Sequence, residues 1–460
     1  MTIDSLFTNV LIGTSIVTGA LTIKARAGAF TNTPTSSSFK AFQVTFLLIY
    51  YVAMTADWLQ GPYVYALYSS YGFSGHDIAV LFVGGFGASM VFGTFVGAMA
   101  DKMGRKRACQ LYCLLYFLSC VTKHAKDYWV LMLGRVLGGV ATSLLFSSFE
   151  SWMICEHTAR GYEGSAMGDT FSLMYFGNSI CAIVAGMMAE SAADLKALTP
   201  TDSPPWYYGG YTAPFDLSAF FLIVGFGLIS GMWNENYGEG SRDKGENQIS
   251  HALAIVYRDP GVLMTGVIVS LFEGCMYIFV FNWTPSISAH YSKPPFGFIF
   301  ATFMVACMGG SSLFSVLSKT MAPENMLVGV FAVGSVALAV PVFTGATLPV
   351  LCAFLVFEAC VGIYWPAMGT VKSKVVPEEA RATIYNIYRV PLNGVVLGIL
   401  LNDMKLTTAF TCCSLMLAVA AVTQSMLSKR VKYSGKESGD MALGKIDDGK
   451  AKLMDSNSDE

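Results

Sequence analysis

The sequence predicts an all-α polytopic membrane protein. Of its 460 residues, 54% are hydrophobic and only 13% are charged, and the mean hydropathy is +0.52, which is too apolar for an ordinary soluble domain. Apolar runs of about 20 residues, the length that a helix needs to cross a bilayer, recur along nearly the whole chain. Because the runs are continuous and do not alternate like barrel strands, the spans are predicted to be helices.

Twelve of these runs form two sets of six. A polar stretch from Asn234 to Asp259 separates the sets. The spans are predicted near 42–68, 77–99, 108–124, 128–149, 166–189 and 215–233, then near 260–283, 296–317, 325–343, 347–370, 382–402 and 405–427. This division indicates a duplicated unit and two six-helix bundles.

An additional apolar run, from Leu6 to Ile23, precedes the first set. Lys24 and Arg26 follow it and no basic residue comes before it, which is the reverse of a signal peptide. We therefore expect a thirteenth helix with its N-terminus outside. The predicted domains are 1–41 (extra helix and linker), 42–233 (first bundle), 234–259 (linker), 260–428 (second bundle) and 429–460 (tail).

The basic residues fix the expected orientation. If the segment after Ile23 is cytoplasmic, 22 of the 29 Lys and Arg residues fall on that side and five on the other. The positive-inside rule then makes the linker and the C-terminus cytoplasmic. The tail has too little apolar surface to fold alone and is expected to be disordered, and the plasma membrane is the expected location.

Composition excludes several classes of function. The net charge is −2 and the basic residues form no broad patch, which argues against nucleic acid as a partner. The eleven cysteines lie mostly in apolar runs without metal-ligand spacing, and no HExxH motif or catalytic grouping is present. We expect no enzyme activity, cofactor or metal, and a monomer whose partners are a small solute and the bilayer.

One loop points to a superfamily. Between the second and third core spans stands "GAMADKMGRKRACQL", whose notable residues are Gly97, Asp101, Gly104, Arg105, Lys106 and Arg107. It resembles the signature loop of the major facilitator superfamily. Glycine there is expected to let two helices approach closely, and Asp101 to meet helix dipoles and a neighbouring arginine, which braces the outward-open state. The alternative is a merely basic loop.

Four further segments resemble a narrower family. They are "ADWLQGPYVYALY" (56–68), "LGRVLGGVATSLLFSSFESWMICEH" (133–157), "LFEGCMYIFVFNWTP" (271–285) and "YRVPLN" (388–393). These are similar to the eukaryotic molybdate-anion transporters, which also have an extra N-terminal helix. The resemblance implies high-affinity uptake of molybdate, a tetrahedral dianion.

Five ionisable residues lie inside the predicted spans: Asp57, Arg135, Glu273, Glu358 and Arg389. Arg135 is about 12 Å below the end of its helix, and groups at such depth usually serve a function. In the duplicated unit Arg135 aligns with Glu358, and Asp57 with Glu273. The resemblance implies that these four face a central cavity, with Arg389 deeper toward the cytoplasm.

The two arginines each have two interpretations. Arg135 either binds an oxyanion through parallel hydrogen bonds or forms a structural ion pair with Glu358 or Asp57. The same two interpretations, contact with an oxyanion or a structural role, apply to Arg389. Glu273 and Glu358 are the proton-coupling candidates.

Two amide side chains add to the predicted site. Asn178 and Asn393 either donate to the oxyanion or bond across helices. The leading hypothesis is a secondary active transporter that takes up molybdate by alternating access, with proton coupling. The alternatives are a transporter of another solute, such as a sugar or organic anion, and a non-transporting sensor with the same fold.

Overall fold

A computed structural model describes residues 3–26, 36–203, 205–238, 247–289, 291, 293–377, 380–402 and 404–430. Fifteen helices lie within these residues. They are α1 (Ile3–Arg26), α2 (Ser37–Gln60), α3 (Val64–Ser70), α4 (Gly75–Met103), α5 (Arg105–Thr122), α6 (Tyr128–Ala159), α7 (Gly164–Asp194), α8 (Ala213–Met232), α9 (Asn247–Arg258), α10 (Pro260–Ser288), α11 (Phe296–Leu317), α12 (Pro323–Phe343), α13 (Thr347–Val375), α14 (Arg381–Leu400) and α15 (Leu406–Arg430).

The thirteen predicted spans all correspond to helices in the described residues. A 3₁₀ turn at Gly61–Tyr63 joins α2 and α3 into the first core span, Ser37–Ser70. Eleven helices of the described chain are long and apolar enough to cross a bilayer by themselves. The exceptions among the predicted spans are α5, which opens on Arg105, Lys106 and Arg107, and α14, which carries two arginines and two asparagines.

The linker between the two sets of spans contains an unpredicted helix, α9. Its residues Ala252 and Val256 are buried, and it packs against α10 and α14. The sequence reasoning treats this stretch only as polar and misses the amphipathic pattern of α9. The part of the expected tail beyond Arg430 lies outside the described residues.

The additional helix α1 packs along α11. The Thr18 hydroxyl donates to the Val305 carbonyl at 3.0 Å, and Thr22 and Ser312 share a hydrogen bond of 2.9 Å. At its end the Arg26 guanidinium lies 3.6 Å from the centre of the Phe176 ring of α7. Thus α1 contacts a helix from each set of six.

Close backbone contacts hold each set together. Gly139 of α6 lies against the Gly85 carbonyl of α4, and Gly362 of α13 lies against the Cys307 carbonyl of α11. A Cβ at either glycine would clash with the backbone of the other helix. Small residues of this kind are the usual way in which membrane helices approach one another.

The bundle has two distinguishable ends. We call one the linker end, where residues 101–107 and 232–238 lie, and the other the hairpin end, where Thr199–Pro200 pairs antiparallel with Tyr207–Tyr208. At the hairpin end the two halves are in contact through aromatic rings. The centre of the Phe281 ring of α10 lies 5.3 Å from that of Tyr65 and 5.4 Å from that of Phe82. These ring contacts bridge the two halves at the hairpin end.

Candidate functional site

The loop between α4 and α5 is held by charges. The Arg105 guanidinium pairs with Asp101 at 2.8 Å and donates to the Ser151 carbonyl at 3.0 Å. Glu235, which follows α8, accepts from the backbone N–H groups of Lys106 at 2.8 Å and Arg107 at 3.3 Å. A carboxylate at a helix N-terminus stabilises its unpaired amides, so Glu235 caps α5.

The glycines of this loop serve different purposes. Gly104 has φ +105°, a conformation that favours glycine, and a Cβ there would meet the Glu235 carboxyl group. A Cβ at Gly97, in contrast, would meet nothing within 4 Å. Open space lies where a Cβ of Gly97 would be in this conformation, so the role of Gly97 in close helix packing stays a prediction.

The structure places Arg135 between α6 and α4. Its Nε donates to the Leu81 carbonyl at 3.2 Å, and the guanidinium lies 4.7 Å from the centre of the Phe82 ring. A Cβ at Gly85 would come within 2.6 Å of Arg135 Nη2, so glycine makes room for the charge. Among the described residues, no carboxylate lies within 4.0 Å of Arg135, so neither Glu358 nor Asp57 pairs with it here.

Two residues that the sequence reasoning missed lie beside Arg135. Lys123, just after α5, is 1% exposed and its Nζ lies 5.7 Å from the centre of the Tyr68 ring. Lys123 Nζ and the Tyr68 hydroxyl are both buried without a hydrogen-bond partner in the described part of the chain. The sequence suggests a loop position for Lys123, and only the fold shows that its side chain enters the bundle.

Asp57 and Glu273, the aligned pair of the two halves, have similar surroundings. Asp57 accepts a hydrogen bond of 2.6 Å from Tyr116, and Glu273 accepts one of 2.9 Å from Tyr364. In each half a tyrosine hydroxyl thus donates to the intramembrane carboxylate. This parallel agrees with an internal duplication.

Two cations lie near Glu273, whereas none of the described residues places a cation near Glu358. Lys372 and Arg389 both lie within electrostatic range of Glu273. The sequence suggests a loop position for Lys372, but it lies in the last turn of α13. Glu358 is 6% exposed, and no described residue forms a hydrogen bond or ion pair with its carboxyl group.

The two asparagines differ in what they contact. Asn178 Oδ1 accepts from the Trp58 indole at 2.8 Å, and that indole lies 5.8 Å from the Phe300 ring of the second half. The Asn393 amide donates to the carbonyl of Arg389 in its own helix at 2.7 Å. Arg389 itself is directed toward the first half, since its Nη1 lies 3.7 Å from the position of a Cβ at Gly93.

Glu190 was also missed by the sequence reasoning. It is 6% exposed, and its carboxylate accepts from the Tyr63 hydroxyl at 2.7 Å and from the Gly297 amide at 2.6 Å. Gly297 belongs to the second half, whereas Glu190 and Tyr63 belong to the first. Glu190 therefore joins the two halves near the hairpin end.

Comparison with known proteins agrees with this architecture. Residues 6–363 match a family described as sugar transporters with 12 transmembrane segments. The nucleoside transporter NupG superposes with a TM-score of 0.63 at 12% identity, covering 84% of this chain and 99% of that one. The xylose transporter XylE from E. coli, in an inward-open conformation, gives 0.62 at 13% identity, covering 84% and 95%.

Curated relatives are more similar in sequence. The molybdate-anion transporter of Xenopus tropicalis is 36% identical over 77% of this chain and 77% of its own length. That of Xenopus laevis is 35% identical over 83% and 84%, and that of Danio rerio 33% over 77% and 78%. These relatives and structural neighbours are all transporters.

The fold and the charged helices define a multi-pass integral membrane transporter of the major facilitator superfamily, and not an enzyme. Within that superfamily, the chain belongs to the molybdate-anion transporter family. The predicted fold class and the family resemblance are both confirmed.

Proposed function

We propose that this protein takes up molybdate by alternating access, with the two six-helix halves rocking about a central site. The observation that carries the proposal is the Arg135 guanidinium, which lies inside the membrane span without a carboxylate partner among the described residues. A half-buried cation inside a membrane span is costly without a counter-charge. In a family whose relatives are named for molybdate, an oxyanion is the simplest one.

The remaining site residues divide by chemistry. Arg389, Asn178 and Asn393 are proposed to contact the oxyanion together with Arg135, since guanidinium and amide groups donate hydrogen bonds to oxygens. Asp57, Glu273 and Glu358 are proposed to carry coupling protons. Moving a dianion toward a negative interior costs about 2.3 kcal/mol per charge per 100 mV, and proton symport would offset this cost.

The orientation and domains form part of the same proposal. The positive-inside rule places the linker end and the C-terminus in the cytoplasm of a cell whose plasma membrane holds the protein as a monomer. The domains are then 1–41, 42–233, 234–259, 260–428 and 429–460. Since aromatic rings of the two halves are in contact at the hairpin end, this conformation is proposed to receive or release substrate at the linker end, and the loop from Gly97 to Arg107 to brace the opposite, outward-open state.

Labelled molybdate uptake into proteoliposomes tests the proposal. We expect saturable uptake that increases when the outside is acidified, and competition by tungstate. The description of the matched family as sugar transporters favours a second candidate, a sugar carrier. If the proteoliposomes took up labelled xylose or glucose but no labelled molybdate, molybdate transport would be refuted and the sugar alternative supported.

A further inference from the structure

Two cations in the part of the bundle nearer the hairpin end, Lys123 and Arg135, have no ion-pair partner among the described residues. Lys123 Nζ lies 3.2 Å from the position of a Cβ at Gly134, the residue before Arg135 in α6. The Arg135 charge is within electrostatic range of both Lys123 and Tyr68. Two like charges in a buried region repel each other strongly, because the surrounding dielectric is low.

Three acidic residues of the same half have other partners. Asp127 accepts from the backbone amides of Trp129 and Val130 at 3.0 Å each. Asp216 contacts His124 at 2.9 Å. Asp57 accepts from Tyr116.

Hydrogen-bond donors in the cluster are also free. The Tyr68 hydroxyl and Lys123 Nζ have no partner in the described residues, and both atoms are shielded from solvent. Unsatisfied buried donors are costly and rare in native proteins. An incoming group with several acceptor oxygens would satisfy these donors together with the free face of the guanidinium.

We propose that Lys123, Tyr68 and Arg135 form a binding site that selects tetrahedral dianions over monoanions of the same shape. A dianion balances the ammonium and the guanidinium, whereas a monoanion leaves one buried charge uncompensated. The tyrosine hydroxyl donates to a third oxygen. This inference rests on the oxyanion transport proposed above, and it adds the feature that sets charge selectivity.

The location of the cluster fits the first contact of an entering anion. The Phe82 ring lies against Arg135 on one side and against Phe281 of the second half on the other. Separation of Phe82 from Phe281 would therefore uncover the cluster at the hairpin end. When the rings close again, they isolate the bound anion from that side.

Competition between isosteric anions tests the proposal. Tungstate is a dianion and perrhenate a monoanion of the same tetrahedral shape, so their relative inhibition of labelled molybdate uptake measures charge selectivity. In Lys123→Met, loss of a charge-assisted contact should weaken tungstate about 10- to 100-fold and perrhenate far less. Lys123→Arg keeps the charge and should retain the preference for tungstate.

Lys126 provides the matched control, because it is an exposed lysine in the same loop whose ammonium group forms no ion pair with the described residues. Lys126→Met should behave like the unmodified protein in both assays. A second readout is the thermal stability of the purified full-length protein with tungstate or perrhenate, which detects binding without transport. Tungstate should stabilise the unmodified protein and Lys126→Met, but not Lys123→Met.

The outcomes separate the two proposals. If Lys123→Met folds, transports and selects tungstate as Lys126→Met does, Lys123 is a packing residue and the inference is overturned. If the unmodified protein shows no molybdate uptake but is stabilised by tungstate through Lys123, the dianion site stands and the proposed transport fails. If labelled molybdate is taken up but tungstate neither competes with it nor stabilises the protein, the dianion site fails and the proposed transport stands. If labelled molybdate is not taken up either, both proposals fail.

Discussion

The two halves of the molecule arrange their intramembrane charges differently. In the described part of the first half, Arg135 and Lys123 lie together without a carboxylate, and Asp57 is hydrogen-bonded to a tyrosine. In the second half, Glu273 interacts electrostatically with Lys372 and Arg389. The first half thus has two cations without an acidic partner among the described residues, which suit an anion, and the second has a mixed cluster of a carboxylate and two cations.

The largest expected effect comes from the first half. Arg135→Ala removes the guanidinium that has no acidic partner among the described residues, and substrate affinity should fall by about 100-fold or more. Uptake of labelled molybdate over a range of concentrations measures this loss. Arg258→Ala, at an exposed arginine, should leave uptake unchanged, and normal transport by Arg135→Ala would contradict the assigned contact.

Substitution of Glu273 in the second half should change proton coupling and leave the affinity for molybdate unchanged. A gradient of one pH unit can drive about tenfold accumulation per coupled proton, and Glu273→Gln should lose this accumulation. Exchange of internal for external molybdate should continue, because it needs no net proton movement. Asp202→Asn, at an exposed carboxylate, is the control, and gradient-driven accumulation by Glu273→Gln would exclude Glu273 from coupling.

The loops of the two halves also differ. Gly104 has a positive φ and lies against Glu235, whereas the corresponding segment of the second half, around Lys319, has lost most of its charges. Gly104→Ala should cost about 1–2 kcal/mol from backbone strain alone, seen as a lower Tm of the purified protein. Lys319→Ala should leave Tm unchanged. If both changes lowered Tm equally, the two loops would not differ in backbone strain.

The smallest expected difference concerns the two asparagines. Asn178 is bonded to Trp58 of another helix, so Asn178→Ala should reduce uptake roughly 2- to 10-fold, the value of one hydrogen bond. The Asn393 amide is bonded within its own helix, and Asn393→Ala should change uptake by less than that. A reversed order would show that Asn393 leaves its helix bond to reach the substrate.

The membrane spans and the positions of the charged residues within them were predictable from the sequence, but the helix α9 and the contacts of the charged side chains were not. Hydropathy and length determine the spans, which is why α11 begins and ends where the sequence predicts. The environments of Lys123 and Glu190 depend on which helices pack together, and a single sequence does not contain this information. The position of Lys372 is missed for a related reason, because its helix extends a turn beyond the apolar run.

The contact between Gly186 and Gly297 determines how closely the two halves can approach each other. At this point the backbones of α7 and α11 meet directly, because neither residue has a side chain to hold them apart. A bulkier residue at either position would clash with the backbone of the opposite helix, so these two glycines set how closely the two halves can come together.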